Sequence, residues 1–105
     1  IQPLWSNTNN ANTKTLRVVL NGGITVYTAM SVNSVHNSGL LILRNFNSET
    51  TQRMSSGMVA GLGSSTGSVA ASTIDTTVSV TVAVTGQLAN SADTMTLEGL
   101  FVEIS

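Results

Sequence analysis

The chain has 105 residues, which is room for one domain of ordinary size. Only 9% of these residues are charged, the formal net charge is -1, and the four basic residues are scattered, so the chain lacks the cationic surface that nucleic-acid binding requires. The absence of cysteine excludes a disulfide framework and a thiolate nucleophile, and no apolar run approaches the roughly 20 residues of a membrane-spanning helix.

The first thirty residues predict a lead-in segment and a hairpin. Residues 1–13 join an apolar cluster to a polar tract, which indicates a lead-in strand or a linker. Residues 14–20 alternate between apolar and other side chains, as a half-buried strand does. Because Asn-Gly supplies the positive φ angles of a tight turn, Asn21 and Gly22 predict a hairpin in which residues 24–30 return as the second strand.

The middle of the chain gives weaker patterns. Residues 31–38 predict a polar loop, which contains the single histidine. Residues 39–46 are apolar on both faces at their start, which is typical of a central strand buried between two layers. Composition predicts a short strand at residues 57–62, a loop at 61–67 and another strand at 69–74.

The last third contains the clearest strand pattern. Four valines alternate strictly with small or hydroxyl residues over residues 77–85, and a polar connection at 86–93 follows. Residues 94–104 predict the final strand. Its apolar phase changes at Gly99, which suggests a β-bulge. The alternative is a strand in which Leu100 and Phe101 are buried on opposite faces.

The abundance of β-branched residues and the absence of helical apolar spacing predict an all-β chain. We expect residues 1–105 to form a single module, an antiparallel β-sandwich or jelly roll of about seven or eight short strands. The residues predicted to form the core are Leu16, Val18, Leu20, Val78, Val80, Val82, Val84 and Leu97. On the second strand of the hairpin, the residues predicted to share one face are Ile24, Val26, Thr28 and Met30.

Groups that could carry out catalysis are few. His36 is the only imidazole, and the chain has only five carboxylates, so neither a catalytic triad nor a metal site has a supporting pattern. Asp75 and Asp93 fall in turn-like stretches, where aspartate commonly accepts hydrogen bonds from the backbone. We therefore predict no catalytic residue, no metal ligand and no cofactor.

Two groups of side chains could bind a glycan. The two amphipathic aromatic residues could stack on sugar rings, although a place in the core or at a subunit interface is the more common role of such residues. A polar cluster on residues 44–53 could contact a ligand or form a solvated rim. The candidate glycan-binding residues are Trp5, Tyr27, Arg44, Glu49, Gln52 and Arg53.

A surplus of apolar surface indicates assembly. Both faces of residues 40–43 and of residues 100–104 are apolar, and a domain of this size buries only about two thirds of its surface. A neutral, hydroxyl-rich surface also opposes association only weakly, because like charges are few. Burial against identical subunits, usually in a closed symmetric oligomer, would cover the surplus.

The stretch TVSVTVAVTGQLANSADTMTLEGLFVEIS, residues 77–105, resembles the C-terminal β-sandwich modules of trimeric bacteriophage tail proteins, namely tailspikes, tail fibres and the knobs of tail needles. The resemblance covers about the last 30 residues, and the rest of the chain agrees with it in composition. It implies an extracellular homotrimer on the virion tail that caps the spike or fibre and contacts a bacterial surface polysaccharide. The family's module has no invariant catalytic motif, so no catalytic residue is implied.

Two other functions stay open at this stage. A monomeric carbohydrate-binding module of a glycoside hydrolase would expose an aromatic platform. A small hydrolase would have to be built around His36, and its activity would be lost in a His36→Ala variant.

Overall fold

The structure of the chain is a computed structural model that describes residues 1–55 and 70–104. These residues form nine β-strands and no helix, which confirms the all-β fold class and gives more strands than the seven or eight predicted. The strands are β1 (Gln2–Asn7), β2 (Lys14–Leu20), β3 (Ile24–Ser31), β4 (His36–Ser38), β5 (Leu43–Asn45), β6 (Gln52–Met54), β7 (Ala70–Ser72), β8 (Val82–Leu88) and β9 (Met95–Phe101).

The described strands are arranged in three antiparallel sheets of three strands each, in the orders β4-β1-β9, β3-β2-β8 and β5-β6-β7. The lead-in segment thus provides β1, the middle strand of the first sheet. One hydrophobic core draws side chains from all three sheets. Its buried members are Trp5, Leu16, Val18, Leu20, Val26, Tyr27, Leu41, Met54 and Ile74.

The predicted hairpin is present, with β2 and β3 paired side by side. Its turn has φ angles of 50° at Asn21 and 73° at Gly22, and the amide of Gly23 donates a hydrogen bond of 3.2 Å to the carbonyl of Leu20. Two successive positive φ angles are what a tight hairpin turn of the primed type requires.

A β-bulge changes the faces of β3. Val26 is the extra residue where the pairing with β2 shifts by one. Beyond it Tyr27, and not Thr28, points to the core, because an inserted residue reverses the alternation of a strand. The prediction of one shared face across residues 24–30 is therefore wrong past the bulge, and Met30 is 56% exposed.

Strand β8 begins five residues later than the valine pattern predicted. It pairs with β2 along the whole of that strand, from Val82 opposite Leu20 to Leu88 opposite Lys14. The partner therefore sets the length of β8, and residues 86–88, predicted as connection, belong to it. Just before β8, Thr81 contacts the hairpin turn: its carbonyl accepts from the Asn21 amide at 2.9 Å, and its amide donates to Asn21 Oδ1 at 3.0 Å.

The predicted core is confirmed in part. Leu16, Val18 and Leu20 are buried, and three of the four valines pack partly buried against the core. Val78 and Leu97 were wrongly placed inside, because they are 60% and 47% exposed.

Residues 31–46 also differ from the prediction. His36–Ser38 is not loop but strand β4, which pairs with β1. The central strand predicted for residues 39–46 shortens to β5, at the edge of its sheet. Leu41 is buried, and its backbone exchanges two hydrogen bonds of 2.9 Å with Ile1. Ile42 is exposed.

The β-bulge predicted near Gly99 is confirmed. Leu4 pairs with Gly99 and Trp5 pairs with Leu97, which leaves Glu98 as the extra residue of β9. The alternative, with the two residues after Gly99 buried on opposite faces, is wrong because both are exposed. The predicted strand at 69–74 contains β7, whereas the strand at 57–62 and the loop at 61–67 lie outside the described residues.

The turn can be tested by two glycine substitutions that differ only in backbone angle. A methyl group at Gly22 or at Gly23 would meet no atom within 4 Å, but only Gly22 has a positive φ. We expect Gly22→Ala to lower the free energy of unfolding by about 1 kcal/mol, because a side chain strains the left-handed conformation. Gly23→Ala should be neutral or slightly stabilising. Urea titration measures both, and equal losses would contradict the turn geometry.

The later start of β8, which leaves Val78 exposed, can be tested by two valine substitutions. Val18 is 0% exposed and Val78 is 60% exposed. Val18→Ala should lower the free energy of unfolding by about 2 kcal/mol through lost burial and the cavity left behind. Val78→Ala should stay within about 0.5 kcal/mol of the parent, as exposed positions do. A larger loss of unfolding free energy in Val78→Ala would indicate that Val78 is in the core, as the alternation of residues 77–85 predicted.

Candidate functional site

Two of the four arginine and lysine residues lie side by side on the sheet β5-β6-β7, whose strands have three residues each. We call it the small sheet and the other two the larger sheets. Arg44 of β5 is directly opposite Arg53 of β6. Their neighbours in the ladder, Met54 and Gln52, are buried, so strand alternation turns both arginines to the outside, where they are exposed. Phe46 follows Arg44 by two residues and is 49% exposed. We call the surface formed by Arg44, Phe46 and Arg53 the arginine face.

Phe46 helps to position one of the two arginines. The guanidinium carbon of Arg53 lies 4.7 Å from the centroid of the Phe46 ring. Such a cation–π contact contributes about 0.5–1 kcal/mol at an exposed site, and it restricts the guanidinium to the ring face. The amide of Phe46 also donates to the carbonyl of Thr51 at 2.8 Å, which closes the loop that presents Glu49 to solvent. The sequence prediction named Arg44, Arg53 and Glu49 but missed Phe46, which only the i+2 alternation could have indicated.

Gln52 has a different role from the one predicted. It is 0% exposed. Its amide nitrogen donates to the Ile74 carbonyl at 2.7 Å and to Asn45 Oδ1 at 3.0 Å. Its oxygen accepts from Ser72 Oγ at 2.8 Å and from the Ile74 amide at 2.7 Å. Gln52 therefore ties the three strands of the small sheet together beneath the arginine face and is not accessible to a ligand.

Trp5 and Tyr27 occupy the core, which confirms the more common role expected of them. They are 2% and 8% exposed. Burial also raises the pKa of the Tyr27 hydroxyl. Neither ring face is available for stacking in the single chain. The burial therefore contradicts the alternative in which these two residues stack on a sugar.

A buried ionic cluster joins the two larger sheets at one end. The Lys14 side chain is 0% exposed, donates to Asn10 Oδ1, and lies 3.9 Å from the Asp93 carboxylate. That carboxylate accepts from Asn12 Nδ2 at 2.9 Å and from Asn10 Nδ2 at 2.7 Å. The bonds from Asn12 and Asn10, helped by the Lys14 charge, lower the pKa of Asp93. The cluster satisfies its own charges and amides, as a structural site does.

Two further residues considered in the sequence analysis, His36 and Asp75, lie at the surface of the described structure. His36 is exposed on β4, and no group of three or more His, Asp or Glu side chains in the described residues could hold a metal ion. Asp75 accepts hydrogen bonds from the hydroxyl and the amide of Thr77, as predicted for a turn, and these bonds lower its pKa. None of the described segments is a helix that could span a bilayer.

Strands β8 and β9 are edge strands of their two sheets. Among the described strands each pairs on one side only, β8 with β2 and β9 with β1. A methyl group at Gly86 would lie 3.0 Å from Met95 Sδ, so the two strands lie close to each other. Leu97 and Leu100 pair with Trp5 and with Pro3, which are both buried.

These two leucines therefore face inward and yet are 47% and 43% exposed. Strand β8 has no charged residue, and β9 has only Glu98, whose carboxylate accepts from Ser6 Oγ. We call this region the open edge. Its inward-facing residues are Val82, Val84, Met95, Leu97 and Leu100.

Comparison of the chain with protein-family models, with curated proteins and with solved structures found no match.

The ionic cluster predicts a specific dependence of stability on pH. Because the pKa of Asp93 is lowered in the folded chain, its carboxylate stabilises the fold above the unfolded-state pKa, and this stabilisation is lost as pH falls through the folded-state pKa. Asp93→Asn should lower the free energy of unfolding at pH 7, since Lys14 loses its counter-charge. It should also flatten the loss of stability from about pH 5 downward.

Asp75→Asn provides the matched control, because Asp75 is exposed and bonds only within its own turn. It should cost less stability at pH 7 than Asp93→Asn when both are measured by urea titration. Equal effects of the two variants at pH 7 would contradict the structural role of the buried cluster.

Proposed function

We propose that this chain is a non-catalytic C-terminal module of a bacteriophage tail protein that trimerises on the virion, outside the cell, and recognises a host-surface glycan. The observation that supports it most is the open edge, where inward-facing leucines lie at the surface of the single chain. The sequence resemblance of residues 77–105 supports the trimeric form.

Covering the open edge with further copies would remove two liabilities at once. An exposed edge strand presents unpaired N–H and C=O groups that attract other chains, and proteins usually guard such edges with charges, proline or bulges. β8 has none of the charged residues that would do this, and β9 has one carboxylate and one bulge. Identical subunits would bury Leu97 and Leu100. Electrostatic repulsion between the subunits would be weak, because each chain has a formal net charge of only -1.

Recognition of a glycan is assigned to the arginine face. Arg44, Phe46 and Arg53 combine exposed hydrogen-bond donors for sugar hydroxyls with an exposed aromatic ring for the nonpolar part of a sugar. They lie on a different sheet from β8 and β9, so the proposed interface does not use these residues.

A monomeric carbohydrate-binding module of a glycoside hydrolase is the second candidate. The half-exposed Phe46 favours it, since this ring could serve as a small aromatic platform. The two candidates differ in oligomeric state, because the monomeric module has no need to cover the open edge.

Two substitutions of equal exposure test the open edge. Leu97 and Val32 are both 47% exposed, but only Leu97 belongs to the open edge. A carboxylate buried without a partner in an interface is costly, so Leu97→Asp should weaken self-association about tenfold or more. Sedimentation velocity over a range of concentrations measures the shift toward monomer.

Val32→Asp is the control, and it should keep the association of the parent chain. Circular dichroism confirms that both variants are folded before they are compared. Unchanged association of a folded Leu97→Asp variant, or an equal loss in Val32→Asp, would remove the open edge as the interface.

A further inference from the structure

We propose that the arginine face binds an anionic sugar unit, whose carboxylate or phosphate group bridges Arg44 and Arg53. This inference rests on the proposed glycan recognition and names the class of glycan. The shared chemistry is a compact oxyanion on a sugar ring, for which the guanidinium fork is a matched donor because it gives paired, parallel hydrogen bonds.

Without a bound anion, the pairing of the two arginines is unfavourable. Like charges directly opposite each other on neighbouring strands destabilise a sheet. Arg44 and Arg53 are such a pair, in a chain with only four basic residues. An anion between them would convert the repulsion into two favourable contacts.

The other two basic residues are engaged elsewhere in the chain. Lys14 is buried beside Asp93, the one ion pair of the residues that the structure describes. Arg17 donates to Gln87 Oε1 at 2.9 Å. Arg53 Nη1 also donates to the backbone carbonyl of Gln52 at 3.4 Å. Of the four basic residues, Arg44 and Arg53 are the two that lie exposed and next to each other, so an anionic ligand would meet concentrated positive charge there.

The arginine face also offers a nonpolar ring to a sugar and lies on strands that are held together. Phe46 is half exposed beside the Arg53 guanidinium, so a sugar held by its oxyanion would have a ring surface next to it. Beneath both arginines, the buried Gln52 amide fixes β5, β6 and β7 through hydrogen bonds of 2.7–3.0 Å. The two arginines thus extend from strands that are held together, and the Phe46 ring restricts the Arg53 guanidinium, which lowers the entropy lost on binding.

Isothermal titration calorimetry with three probes tests the inference. The probes are trigalacturonic acid for the carboxylate, mannose 6-phosphate for the phosphate and maltotriose as the neutral sugar. The parent chain should bind at least one anionic probe, should not bind maltotriose, and should bind more weakly as NaCl is raised. The anionic probe that binds identifies which oxyanion the site prefers.

Matched arginine variants locate the site. Arg44→Gln and Arg53→Gln should each weaken binding of the anionic probe about tenfold, because each removes a charge-assisted hydrogen bond. Arg17→Gln removes the same charge elsewhere in the chain and should leave the affinity unchanged. All three positions are on strand surfaces and the variants should fold as the parent does.

Three results would overturn the inference: failure of both anionic probes to bind, equal binding of maltotriose, or an equal loss in Arg17→Gln. The proposed function is judged separately from the mass of the same samples. A trimer that binds only the neutral sugar would overturn the anionic class and keep glycan recognition, whereas a monomer that binds the anionic probe would keep this inference and overturn the trimeric module.

Discussion

Burial of one ammonium group constrains the rest of the structure. Lys14 opens β2, the strand that pairs with both β3 and β8, and its charged group is removed from water. Such a charge is tolerated only when it is paired and hydrogen-bonded. Asn10 and Asp93 provide this from the loops before β2 and before β9. Each of these loops connects one of the two larger sheets to the other, so their contacts tie the two sheets together at that end.

Buried polar side chains of the described residues have hydrogen-bond partners with one exception, Trp5 Nε1. Two surfaces depart further from local consistency. Gln52 shows the general rule, since its amide is fully hydrogen-bonded in the interior of the small sheet. At the open edge, apolar side chains exceed what one chain can cover. At the arginine face, two positive charges share a ladder pair without an acidic partner among the described residues. Departures from local consistency of this kind are where functional surfaces are expected.

Local rules could predict the fold class, the hairpin and the bulge near Gly99, because turn chemistry and alternation act over neighbouring residues. They failed where a distant partner decides the outcome. The valine pattern continues before Val82, but β8 starts there because β2 ends opposite it. The bulge at Val26 was invisible for the same reason, since only the pairing with β2 reveals an extra residue.

For the site, sequence could indicate Arg44 and Arg53 but not their direct opposition, and it could not tell the buried Gln52 from its exposed neighbours.

The central claim is that the open edge is completed by other copies of the chain. The most direct test is the solution mass of the unmodified protein by light scattering over a wide range of concentrations. The account predicts a mass near three times the 10.9 kDa of one chain, with dissociation only on strong dilution. A mass of 10.9 kDa at every concentration would contradict it, and the half-exposed leucines of β9 would then be an ordinary feature of a monomer's surface.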